Sequence, residues 1–446
     1  MARSEQVVQS KPVQRKREPL GGAYFWLVVF YLIYCARPED WIPGLHVVPL
    51  AKVSGVLAVL ALALSLGRSK RGVRDLPWET LFIVLLLGVL MISAVFSPVW
   101  QGGAVTHTLD FSKEFLVFLV TLLAVTTLPR LRRLLLIQTG SVALIATVSV
   151  VKGRSAPRLE GVLSGIYSNP NDLAFAIALT IPLGFAFLLR ARGVARRLAW
   201  GAAMLVMATA VFYTASRAGF IAMTVAGVVC LWHFGVKGRR PVLILATGLA
   251  AAALIVFAGG TLKSRFMAIS GEDLSTDVQA SAYSSFQARN LLIEKSFDTI
   301  LKFPLLGIGL NNFQVYSGTW REVHDVYLQV GSEGGIPALI LYLLIFWRAF
   351  VNLRRLRRIP DLDEETRLYA GALHSVLVAF AVGALFAPEA FQYFQFFAVS
   401  YCWVLFAITV EQRRAEAPLA TLPSLSIRRA QIYAETSRTK PVTLAR

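Results

Sequence analysis

The sequence predicts an all-α protein that crosses a membrane about twelve times, and three observations carry that prediction. Of its 446 residues 56% are hydrophobic and 16% charged, with a mean hydropathy of +0.60. That balance exceeds what a soluble domain can hide from water. Runs such as Leu81–Ala94, Leu116–Val125 and Pro241–Ala258 contain no ionisable residue, and lipid is the solvent that suits them, at about 20 mostly apolar residues per helical crossing. Finally, the Lys and Arg behind the net charge of +19 lie in short clusters between the apolar runs. A nucleic-acid-binding protein would gather them on one basic surface, so that class is set aside.

A basic tail, residues 1–20, precedes the first apolar run, and no small-residue cleavage pattern follows that run, so the first span is expected to stay uncleaved. The expected spans are 21–36, 47–66, 79–97, 109–128, 132–151, 172–190, 195–214, 217–235, 241–260, 328–348, 368–387 and 391–411, with a second tail over 412–446. With the N-terminus inside, every even-numbered connection should be basic, because such loops resist translocation. The clusters obey this parity: Arg68 to Arg74, Arg130 to Arg133, Arg190 to Arg197, Lys237 to Arg240 and Arg354 to Arg358 all fall on the expected cytoplasmic side.

One connection is long. Residues 261–327, between the ninth and tenth spans, form a large extracytoplasmic loop, a length that points to function. Within it Phe286, Leu292, Ile293, Phe297, Ile300 and Leu301 are spaced as one apolar helix face, suited to a membrane surface. Gly307-Ile308-Gly309 lacks the strand-turn-helix setting of a nucleotide loop. The three cysteines, Cys35, Cys230 and Cys402, lie in or beside apolar runs without metal-ligand spacing, and read as buried thiols.

Sidedness then acts as a filter on the polar residues. It leaves on the outer face Arg217 at the head of the eighth span, Arg289, and His324 where the long loop re-enters the membrane. Arginine offers a planar fork of donors to phosphate oxygens, and a helix N-terminus adds unpaired N–H groups and partial positive charge. Ser168-Asn169-Pro170-Asn171-Asp172 has the same layout ahead of the sixth span, where capping alone also accounts for it. Lys152, Arg154 and Arg158 stand nearby in the chain and draw anions by their field. A neutral imidazole at His324 is a competent general base, although lone histidines also serve structural roles. No two of the five histidines have helical metal-ligand spacing, so no metal is expected.

In this order Ser168-Asn169-Pro170-Asn171, Ser216-Arg217-Ala218-Gly219, Arg289, Pro304 to Gly309 with Asn312-Phe313, and His324-Asp325-Val326-Tyr327-Leu328 followed by Glu333-Gly334-Gly335 resemble the O-antigen ligase and polymerase family of bacterial envelope enzymes. The motifs cover roughly residues 160–350, and the span pattern extends the likeness to most of the chain. The resemblance implies a glycosyltransferase C-type membrane fold and a glycan donor linked to undecaprenyl diphosphate. It further implies donor-diphosphate contacts from Arg217 and Arg289, with Asn169, Asn171, Arg154 and Arg158 in support, and His324 at the reaction centre. Where the family has His-Asn this chain has His324-Asp325, which leaves the neighbour's role open.

The expectation is therefore an inverting glycosyl transfer in the bacterial inner membrane, with a periplasmic site and both termini cytoplasmic, and without metal, nucleotide or other cofactor. The acceptor is lipid A-core for a ligase, a glycan repeat for a polymerase or a protein hydroxyl. A lipid-glycan transporter is the reading from another class, and polar groups at mid-membrane would favour it.

Overall fold

The computed structural model describes residues 20–68, 71–72, 75–152, 158–159, 166–167, 169–235 and 277–420. The expected ninth span (241–260), the start of the long loop (261–276), Ser168, Arg154 and most of both tails lie outside the described residues.

Among the described residues there are helices and no strand. The long helices are α1 (Gly21–Ala36), α2 (Leu50–Ser65), α3 (Trp78–Val95), α4 (Gln101–Ala124), α5 (Leu128–Lys152), α6 (Pro170–Arg190), α7 (Val194–Thr214), α8 (Arg217–Phe234), α9 (Asp277–Lys302), α10 (Val326–Leu356), α11 (Glu364–Gly383) and α12 (Tyr393–Ala420). Eight of them, α3, α5 to α8 and α10 to α12, are long and apolar enough to cross a membrane. Helices α1 and α2 have 16 residues each, about 24 Å of helix against a hydrocarbon core of about 30 Å. Large apolar side chains stay exposed on the spans, Leu64, Val84, Leu205, Trp232 and Ile340 among them, as a lipid-facing surface requires.

Contacts gather helix ends on two faces, the start of α3 with the ends of α4 and α10 on one and the end of α3 with the start of α10 on the other. At the basic face arginine side chains take up carbonyls that helix C-termini leave unpaired. Arg71, 2% exposed, donates to the carbonyls of Leu122 and Val125 at the end of α4 and to Glu411 on α12, with Trp403 beneath its guanidinium. Arg130 donates to Ala124 O, and Arg132 and Arg190 share Glu365 at the start of α11. Helix α4 begins and ends earlier than the expected 109–128. Its end is set by those two arginines, a tertiary contact that the apolar pattern does not reveal.

On the opposite face the chain from α9 to α10 forms a clasp. Helix α10 breaks at Gly335, whose φ of 78° is left-handed. The run Pro304 to Gly309 lies against this break: Ile308 N donates to Ser332 O at 3.1 Å, Gly309 N to Glu333 O at 2.9 Å and Ile336 N to Pro304 O at 2.8 Å. Ser93 Oγ on α3 also donates to Glu333 O, and Ser97 Oγ to Ile308 O. Gly307 and Gly309, which carry no nucleotide loop, are thus packing residues. A Cβ on Gly307 would meet the Glu333 carbonyl carbon at 2.5 Å.

The amphipathic reading of the long loop is corrected in register. Leu292, Ser296, Thr299 and Ile300 of α9 pack inward, Ile300 onto Gly331. Ile293, Phe297 and Leu301, spaced by four, remain exposed as a separate stripe. The six apolar residues therefore divide between two faces, because the clasp and α10 claim one side of α9.

The clasp predicts a graded glycine response. Gly335→Ala places a Cβ 2.6 Å from the Leu305 carbonyl carbon at a left-handed φ, and should cost at least about 2 kcal/mol of stability. Gly318→Ala, with φ of 67° and open space around it, should cost only about 1 kcal/mol. Thermal unfolding in detergent checks the order, and equal losses would contradict it.

Candidate active site

Two helix N-termini and one helix C-terminus meet on the face opposite the basic one. Asn169 Oδ1 accepts from Asn171 N at 2.9 Å and Pro170 occupies the first turn, which starts α6. Ala215, at φ 48°, turns the chain sharply after α7, and Ser216 Oγ accepts from Gly219 N at 3.2 Å to start α8. A Cβ on Gly219 would come 2.3 Å from the Ala174 Cβ, so α6 and α8 touch backbone to backbone near their beginnings.

Arg217 is the first residue of α8 and only 8% exposed. Arg158 bridges the group, with Nε donating to Thr214 O at 2.9 Å and an η nitrogen to Asn171 Oδ1 at 3.2 Å. Two converging helix N-termini, with Arg158 bonded between them and Arg217 at the head of α8, form a positive corner. Such a corner binds oxyanions, the helix ends adding partial charge to that of the arginines. The structure thus gathers Arg217, Arg158, Asn169 and Asn171.

His324 arrives from the other side of the same face. Leu292, Ile308, Phe313 and Val323 form a small apolar core under the outer segment, which fixes the chain just before His324. Asp325 caps α10 by accepting from Leu328 N at 2.9 Å. Asn and Asp cap helices about equally well, so the departure from His-Asn keeps the structural role of the position. Val326 N donates to Ala384 O at 2.8 Å. Its neighbour Gly383 packs against Phe175 of α6 and Ala222 of α8, so the His324 turn sits on a helix end that touches both members of the α6–α8 pair.

Arg289, on α9, lies close enough to act on His324 electrostatically. Burial, helped by the charges of Arg289 and Arg321, pushes the His324 imidazole down to about 4, and Nδ1 is buried with no hydrogen-bond partner among the described residues. The ring is therefore neutral at pH 7 and able to accept a proton. Sequence reasoning passed over Arg321, because the charge at that position gains meaning only once the His324 turn is folded.

A cavity of about 790 Å³ borders both groups. Asp172, next to Asn171, and Glu322, two residues before His324, both line it. So do Glu114, from inside α4, and Glu333, at the break in α10. Glu114 and Glu333 put ionisable groups inside the expected spans 109–128 and 328–348, and that placement was their sequence signal. Elsewhere, His233 and His374 meet at 3.0 Å near the basic face, with Arg357 donating to His233, a pair that separation in sequence conceals.

A titration tests the environment of His324. Histidine NMR, with the signal assigned by its loss in His324→Gln, should show a midpoint near 4, and Arg289→Gln or Arg321→Gln should raise it. Between about 6.5, the ordinary histidine value, and the folded value, the unfolded chain takes up a proton that the folded protein refuses. Stability from this group is thus full above that window and falls as pH drops through it. A midpoint at the ordinary value would contradict the buried, cation-flanked geometry. Asp325→Asn should leave stability unchanged, whereas Asp325→Ala should cost about 1 kcal/mol through the lost cap.

Comparison with known proteins adds one family. Residues 202–343 match the family model described as O-antigen ligase. No curated protein matches the chain. The matched stretch contains Arg217, Arg289 and His324. Over that stretch the chain is similar to the O-antigen ligase family.

Proposed function

We propose that the protein is a membrane glycosyltransferase that moves a glycan from undecaprenyl diphosphate to an acceptor hydroxyl on the periplasmic side, as an O-antigen ligase in lipopolysaccharide or surface-polysaccharide synthesis. The observation that carries the reading is the convergence of the α6 and α8 N-termini with Arg217 and Arg158 on the face that also holds Arg289 and a neutral His324. A lipid-linked diphosphate supplies the anion such a corner is built for, and the lipid-facing spans suit its chain.

In the proposed reaction the acceptor oxygen attacks the anomeric carbon as the bond from that carbon to the diphosphate oxygen breaks. The new glycosidic bond forms on the opposite face of the sugar, which inverts its configuration. The hydroxyl proton passes to His324, while Arg217 and Arg289 stabilise the charge gathering on the departing diphosphate. Arg158, Asn169 and Asn171 hold the corner in shape, and Arg154 belongs to the same proposal. The donor arrives activated, so the step needs neither nucleotide nor metal. The inner membrane, with both termini cytoplasmic, is the matching setting, since the basic face then lies inside.

Reconstituted Arg217→Ala, Arg289→Ala and His324→Ala proteins, folded as judged by thermal unfolding, should each lose at least about 100-fold in transfer rate. Activity of the native protein should fall on the acid side with a midpoint near 4, where His324 takes up its proton. Wild-type transfer by all three variants would sink the mechanism. Loss of the gene should leave full-length glycan on the lipid carrier; accumulation of single repeat units would assign polymerisation instead, and transfer to a protein would assign protein O-glycosylation. Translocation of the lipid-linked glycan with no new glycosidic bond would make the protein a transporter.

A further inference from the structure

The cavity beside the arginine and histidine cluster has chemistry that the proposed transfer step does not use. None of Arg217, Arg289 and His324 lines it. Two carboxyl side chains enter it from deep in the helices: Glu114, 8% exposed, and Glu333, 3% exposed. On each, Oε2 is buried with no hydrogen-bond partner among the described residues. A buried acceptor left unpaired is costly, and its retention asks for a partner beyond the described residues, a role that a bound ligand fills. Among the described residues no three His, Cys, Asp or Glu side chains are grouped as a metal site requires.

The rest of the lining narrows the ligand class. Tyr34, Phe111, Phe391 and Tyr393 supply aromatic rings. Hydroxyl donors to meet the carboxyl oxygens, with C–H faces to lie on rings, are the features of a sugar. On α2 the lining residues Val56 and Leu60 are large apolar side chains exposed at 57% and 51%, a border that suits a head group attached to an alkyl chain. Its volume of about 790 Å³ lies in the range of small-molecule sites.

We propose that this cavity is a second ligand site that binds the hydroxyl-rich head group of a sugar, with Glu114 and Glu333 accepting hydrogen bonds from its hydroxyls. Asp172 and Glu322 form its border with the diphosphate corner and with the His324 turn, so a sugar seated there faces the reaction centre. The acceptor glycan and the sugars carried by the donor present the same chemistry. Only the choice between those two sources rests on the transferase reading; binding itself does not.

The test uses the full-length protein in nanodiscs and calorimetric titration with two probes, the delipidated core oligosaccharide of lipopolysaccharide and a repeat-unit oligosaccharide, with no donor lipid present. Wild-type protein should bind at least one of them. Glu114→Gln and Glu333→Gln should each weaken that binding at least 10-fold by removing a carboxyl acceptor at nearly constant volume. Val59→Trp fills the cavity from α2 without touching a carboxyl and should do the same. Arg217→Ala should bind the oligosaccharide as the wild type does while failing in transfer, which separates this site from the diphosphate corner. Loss with the core probe alone assigns the acceptor, and loss with the repeat-unit probe alone assigns the donor glycan. Binding of neither probe by the wild type, or unaltered binding in Glu114→Gln, Glu333→Gln and Val59→Trp, would overturn the proposal.

Discussion

The contact between Gly219 and Ala174 is the constraint on which the rest of the site depends. A side chain at residue 219 would overlap the Ala174 methyl group, so the two helices approach as closely as their backbones allow. Their N-termini then open on one corner, and the partial positive charges of the two helix ends add to each other instead of being scattered over the face. Arg217 follows from the same contact, because it is the first residue of the helix that Gly219 holds in place. In a low-dielectric setting such a corner is expensive to leave without an anion and favourable to fill with one. Arg158 adds its own charge there and holds the corner in shape by bridging the end of α7 to Asn171.

A second constraint carries His324 to the same place. The break at Gly335 exposes backbone groups inside a membrane protein, where each must find a partner. The run from Pro304 to Gly309 supplies them, and in doing so ties the chain after α9 to the middle of α10. Everything between these tethers, from Phe313 to Asp325, is then a short excursion with its own apolar core. The histidine sits at the end of that excursion, buried enough to stay neutral and beside two arginines. Positive charge close to a neutral base suits a reaction in which a proton leaves as negative charge builds on a diphosphate.

Much of this was legible in the sequence for a physical reason. Apolar run length and the parity of the basic clusters are set by the bilayer, a solvent that acts on each span separately, and eleven of the twelve expected spans have a helix at their position among the described residues. The remaining one, 241–260, lies outside them. Arg217, Arg289 and His324 emerged from the same filter, since sidedness removed the arginines that the structure shows bonded to carbonyls and carboxylates at the basic face. What escaped notice depends on contacts distant in the chain. The ends of α4, the split faces of α9, the use of Gly307 and Gly309 and the pairing of His233 with His374 are each decided by a neighbour more than twenty residues away. Glu114 and Glu333 carried a visible signal as acids inside expected spans, but only the cavity gives that signal a direction.

The proposed place of the diphosphate is tested by a structure of the protein with undecaprenyl diphosphate bound. Phosphate oxygens should then lie within hydrogen-bond distance of the Arg217 guanidinium and of backbone N–H groups in the first turn of α8. Phosphate density at the basic face, or away from the α6 and α8 N-termini with Arg217 untouched, would contradict it.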